Sequence, residues 1–149
     1  MNTEILKEIM YSENLTCVVA DEEDIIFKSA EKGIVPMLEL LELYEKGAIR
    51  PVYQADKIIG KAAIIIAARI GIKDIYAGVL SRSAKEIADR KGVNVTCGQL
   101  VEMILNPAQT AEGPFEKALH MVDEDDFDRV LETVRKTLEK VRKAREAAV

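Results

Sequence analysis

The chain has 149 residues, enough for one domain with a real core and too few for two. Its longest stretch without a charged residue, residues 92–101, is about half of what a membrane-crossing helix needs. A net charge of −5, from 26 acidic and 21 basic side chains, argues against a dedicated nucleic-acid binder, and two cysteines with one histidine cannot assemble an ordinary Cys/His zinc site.

The first element is a short helix over 3–11, with Ile5, Leu6, Ile9 and Met10 on one face and Thr3 as its cap. With Glu4, Lys7 and Glu8 within that pattern, no signal peptide is expected. Residues 15–20 and 24–28 read as two strands joined by the polar turn Asp21-Glu22-Glu23. A helix follows over 35–44, with Pro36 in its first turn and Gly47 as its stop.

From there strand and helix alternate. The pattern predicts a strand over 50–54, an apolar helix over 56–70 capped by Asp56, a buried strand over 74–80 and a helix over 82–91. Ser81 caps that last helix and Gly92 closes it. A strand over 93–97 and a short helix over 99–105 come next, then an irregular segment over 106–114 that reads as a connector or as the border of a site. The last element is an amphipathic helix from 125 to about 148, acidic at its start and basic at its end, as the helix dipole favours. The sum is an α/β domain with a mixed sheet of about five strands and a long C-terminal helix. The division is an α/β domain over 1–122 and a helix over 123–149 packed on that domain or on a dimer partner. Cys17 and Cys97 sit at strand positions and read as free thiols, which with no sign of an oxidising compartment suggests the cytoplasm.

Helix starts at strand ends attract anions, because their N–H groups are unpaired and the dipole favours negative charge. Two such starts stand out. The segment Asp56-Lys57-Ile58-Ile59-Gly60-Lys61 lacks the Gly and Ser/Thr of a phosphate-binding P-loop, since Ala55 and Ala62 stand there. Its other reading is a capped core helix in which Gly60 allows close approach, at about 1 kcal/mol of helix propensity. Ser81-Arg82-Ser83 opens the next helix at the ligand edge of an open sheet, with Arg82 able to meet an anion or Ser81 simply capping. Glu116, after Gly113-Pro114, reads as an ordinary helix start or as an acceptor pointing into the crevice. His120, the sole histidine, reads as structural or at the surface.

The order helix, strand, strand, helix, strand, helix, strand, helix resembles the cytidine-deaminase-like fold, a three-layer α/β/α arrangement. More specifically, residues 55–63, the strand Ile75-Tyr76-Ala77 with Ser81, and Asn106 with Pro114-x-Glu116 resemble a small prokaryotic domain-of-unknown-function family of that superfamily, over about residues 5–122. In zinc deaminases, His/Cys-x-Glu and Pro-Cys-x-x-Cys at two helix starts hold zinc, which acidifies a water while the glutamate moves protons. Here the matching starts carry none of those ligands, so zinc-dependent deamination is not expected, and neither a metal nor a cofactor is implied. The family resemblance also implies a Cys-Pro-x-Glu stretch near residue 113, where this chain has Gly113-Pro114-Phe115-Glu116.

Three functional readings follow. In the first, Asp56, Lys57, Gly60, Lys61, Ser81, Arg82 and Glu116 line a pocket for a small anionic or nucleotide-like ligand, held by lysine charge and helix N–H groups. In the second, Lys57 or Lys61 works with Asp56 or Glu116 as acid and base in a metal-free enzyme. In the third, the chain is a structural protein that forms a homodimer or higher homo-oligomer through its C-terminal helix. None involves nucleic acid or a membrane.

Overall fold

A computed structural model describes residues 1–148. Helix α1 (Thr3–Ser12) leads into the hairpin β1 (Cys17–Ala20) and β2 (Ile25–Ser29), followed by α2 (Val35–Glu45). Strand β3 (Tyr53–Ile59), α3 (Lys61–Arg69), β4 (Asp74–Ser81), α4 (Arg82–Lys91) and β5 (Asn94–Val101) continue the alternation. A one-turn helix α5 (Pro114–Ala118) and the long α6 (Phe127–Ala147) complete the chain.

The five strands form one mixed sheet in the order β2-β1-β3-β4-β5. β1 is antiparallel to both β2 and β3, whereas β3, β4 and β5 run parallel. Parallel neighbours need a crossover helix, and α3 and α4 supply it. Side chains alternate along the strands, so the sheet feeds two apolar layers. Val18, Ala20, Ala55 and Tyr76 pack with Leu6 and Met10 of α1 on one face. Cys17, Val19, Ile75 and Ala77 pack on the other face with α2, α3 and α4, joined by Val130 and Val134 of α6. α3 is the hub of this larger layer. Residues 62–67 are all buried, as expected of a helix that is apolar all round.

Three of the differences from the sequence reading have a clear physical reason. Asp56 does not cap a helix: β3 continues through Ile59 because the β-branched pair Ile58 and Ile59 registers against Val79 and Leu80. Gly60 is therefore the N-cap residue of α3, with extended backbone, and incurs no helix-propensity cost. Residues 99–101 are strand, since Gln99, Leu100 and Val101 pair with Val79, Leu80 and Ser81, and residues 102–105 are not helical. At the N-terminus it is Asn2, with Oδ1 accepting the Ile5 N–H at 3.0 Å, that caps α1 in place of Thr3.

Candidate functional site

The N-termini of α3 and α4 meet at the carboxyl ends of β3 and β4, and Glu116 of α5 reaches between them. Its Oε1 accepts the Lys61 backbone N–H at 2.7 Å and the Ser81 hydroxyl at 3.4 Å. Its Oε2 accepts from Ser83 Oγ at 3.2 Å. Glu116 and Ser81 are buried, while Gly60, Lys61 and Ser83 are half-buried and carry the crevice to the surface. A Cβ built on Gly60 would overlap Oε1 of Glu116. The close approach that Gly60 permits is thus made by a carboxylate of the same chain. That carboxylate also occupies the α3 N-terminus, so the Lys61 N–H is not free to ligate an external anion there. Ser81 Oγ accepts the Ala84 N–H at 3.2 Å, so it caps α4 as well as lining the crevice.

Lys61 serves two places at once. While its N–H holds Glu116, its Nζ donates to the Leu119 carbonyl at 2.9 Å, and the residue lines a cavity of about 400 Å³. Arg90, Lys91, Val122 and residues 123–125 complete the lining. Two of its cations are neutralised: Arg90 pairs with Glu124, and Lys91 with Asp125. Lys61 has no carboxylate partner among the described residues, only that carbonyl.

Asp56 lies on β3 beside a buried polar group. Gln54 Nε2 donates to Asp56 Oδ2 at 3.1 Å and approaches Met37 Sδ at 3.3 Å and Cys17 Sγ at 3.8 Å. Asp56 Oδ1 accepts the Ile58 N–H at 3.2 Å. Burial pushes the Asp56 carboxyl up to about 7, the hydrogen bonds only partly opposing it. The Cys17 thiol is raised well above its ordinary value, first by burial and then by the Asp56 charge. Gln54 Oε1 is buried with no hydrogen-bond partner among the described residues.

The remaining sequence candidates go elsewhere. Lys57 leaves the crevice: its Nζ lies 3.4 Å from Asn14 Oδ1, on the α1 side of the sheet. Arg82 is solvent-exposed and pairs with Glu102 at 2.9 Å. His120 pairs with Glu112 at 2.7 Å, and both cysteines are free, Cys17 buried and Cys97 exposed. Among the described residues no group of three His, Cys, Asp or Glu side chains could hold a metal ion. The crevice donors suit a carboxylate rather than a cation, because an N–H and two hydroxyls already point at Glu116. No helix among the described residues is long and apolar enough to cross a membrane.

Sequence reasoning missed Gln54 and Ser83 as site members and did not see the cavity. A glutamine inside the apolar stretch before Ala55 is a legible signal for the first, and the serine two residues after the Ser81 cap for the second. The pairing of the end of α4 with residues 124 and 125 leaves no mark in the sequence.

A family model described as TM1506, domain of unknown function (DUF1893), matches residues 5–138. The chain is also similar to the crystal structure of a DUF1893 family protein (TM1506) from Thermotoga maritima. That likeness has a TM-score of 0.74 at 23% identity and covers 92% of this chain and 88% of that one, a similarity of fold. No curated protein matches the chain.

Proposed function

The chain belongs to the DUF1893 family, and on that footing we propose that it binds a small anionic or nucleotide-like ligand in the cavity beside the Glu116 crevice. The observation that carries this reading is Lys61, which lines a cavity of about 400 Å³ and whose ammonium has no carboxylate partner among the described residues. That volume is of the order of a small-molecule site. An anionic group of the ligand replaces the Leu119 carbonyl as the partner of Lys61 Nζ. The Glu116 lock fixes the lysine backbone, so the side chain starts from a defined position. The reading shifts the source of affinity from helix N–H groups to one side-chain charge. We place the fold in the cytidine-deaminase-like superfamily, without its metal. The opening antiparallel hairpin and the two parallel strands that each end at a helix start and the crevice support that placement.

Native mass spectrometry beside a denatured control tests the function. The expected result is an adduct on the folded wild-type protein that disappears on denaturation and is depleted by at least about tenfold in Lys61→Ala, a loss of about 1.4 kcal/mol. Equal retention by Lys61→Ala, or a wild-type mass without adduct that no added nucleotide or dicarboxylate changes, overturns it.

A further inference from the structure

A second cavity, of about 180 Å³, adjoins the one beside the crevice and shares Lys91, Glu124 and Asp125 with it. Ile65, Ala68, Arg69 and Phe127 complete its lining. Lys61 and Arg69 are the first and last residues of α3. Lys61, Ile65 and Arg69 recur at every fourth position, so they form one ridge of that helix. The two cavities therefore follow α3 from end to end, a span of about 12 Å at about 1.5 Å per residue. Between those ends, residues 62–68 are all alanine and isoleucine, so α3 offers nothing polar to the middle of a ligand.

The charges along the opposite wall are accounted for within the chain. Arg90 pairs with Glu124 and Lys91 with Asp125. The third carboxylate of the lining, Asp123, accepts the Asp125 N–H through Oδ1 at 2.9 Å. Lys61 and Arg69, at the two ends, have no carboxylate partner among the described residues. The Arg69 guanidinium is held instead over the Phe127 ring, 4.7 Å from its centroid. A ring face attracts the cation but leaves its N–H fork open to a carboxylate.

We propose that the ligand is an elongated dianion, a linear dicarboxylate in chemical class, that runs along α3 from Lys61 to Arg69. One carboxylate meets the Lys61 ammonium, the other meets the Arg69 fork, and a hydrocarbon middle crosses Ile65 and Ala68. This rests on the reading that Lys61 takes an anion and adds a second contact at the far end of the helix. A monoanion at Lys61 leaves Arg69 unmatched, whereas a dianion of the right length satisfies both cations. The sign of the lining agrees: it holds four cations against three carboxylates, in a chain whose net charge is −5.

Isothermal titration calorimetry on the full chain tests this with linear dicarboxylates of increasing length, from butanedioate to dodecanedioate, and with octanoate as the monoanion. Affinity is expected to pass through a maximum at a chain longer than butanedioate. The best dicarboxylate binds at least about tenfold tighter than butanedioate or octanoate. Arg69→Gln weakens that dicarboxylate by about the same factor and leaves octanoate unchanged, while Lys61→Ala weakens both. Octanoate binding as tightly as the dicarboxylates, with Lys61→Ala weakening all of them, overturns the dianion and leaves the Lys61 site standing. Binding that Lys61→Ala does not change overturns both. Affinity that rises with length without a maximum also overturns the dianion, because apolar burial and not a second charge then sets it, and so does a wild type that binds no dicarboxylate. Should Arg69→Gln not fold, the comparison of the dicarboxylates with octanoate on the wild type still decides.

Discussion

At Gly60 and Glu116 one missing side chain and one buried carboxylate define each other. Gly60→Ala places a methyl group on Oε1 of Glu116 and forces the carboxylate off the Lys61 N–H and the Ser81 hydroxyl. Leaving those buried groups unmatched costs about 2–3 kcal/mol. Glu116→Ala removes the acceptor and the clash together, so the double variant is expected to lose at least about 1 kcal/mol less than the sum of the single losses. Urea unfolding of the four proteins measures that coupling, and additive losses would show that the two residues do not meet. Asp56 carries the pH dependence. Its carboxyl titrates near 7 in the folded chain and near 3.9 when unfolded, so the folded state binds the extra proton between those values. The stability it contributes is full below about pH 4 and is lost as pH rises through 7. Because Asp56 keeps part of its surface, the discounted size of this effect is about 2 kcal/mol. Relative to Asp56→Asn, the wild type should lose that amount between about pH 4 and 7.5, and parallel pH profiles of the two proteins would contradict the assignment.

At the scale of elements, helices declared themselves by period and strands by context. α2, α4 and the body of α6 were legible because their apolar stripes, caps and stops agree with one another, as with Ser81 before and Gly92 after α4. The β3–α3 boundary was not legible from periodicity. Residues 56–70 are apolar enough to satisfy a helix throughout, and only pairing of Ile58 and Ile59 with Val79 and Leu80 selects strand for the first part. The same competition hid the end of β5, where Gln99 to Val101 look helical alone but have a parallel partner waiting in β4. These boundary shifts moved the site. Once residue 57 is strand, alternation sends Lys57 to the α1 side and away from Lys61, which no spacing argument within a helix could show. Glu116 was legible only as one of two readings after Gly113-Pro114, an ordinary helix start or an acceptor pointing into the crevice. Its partners Lys61 and Ser83 belong to separate elements, 55 and 33 residues away, and only the fold brings them together.

Across the whole molecule, α6 decides whether the C-terminal segment is an appendage or part of the domain. Val130 and Val134 are fully buried in the main core, and Thr137 is buried beside them. Arg69 of α3 lies 4.7 Å from the Phe127 ring centroid, while the pairs Arg90–Glu124 and Lys91–Asp125 tie the end of α4 to the segment before α6. The outward side is charged and internally paired, Glu132 with Lys136 at 2.7 Å and Glu139 with Lys143 at 3.9 Å. Such exposed pairs contribute little stability, and they leave no apolar stripe there for a dimer seam. Burial of the two valines alone is worth about 3–6 kcal/mol, against a total of about 5–15 for a domain of this size. Truncation after Asp123 is therefore expected to lower the melting temperature by at least about 10 °C or to prevent folding. Substituting the outward residues Lys136 and Lys143 by Glu should leave the sedimentation mass as it is. If truncation instead leaves the melting temperature intact and lowers the mass of the assembly, α6 is an oligomerisation arm and the buried valines belong to a contact that the monomer does not need.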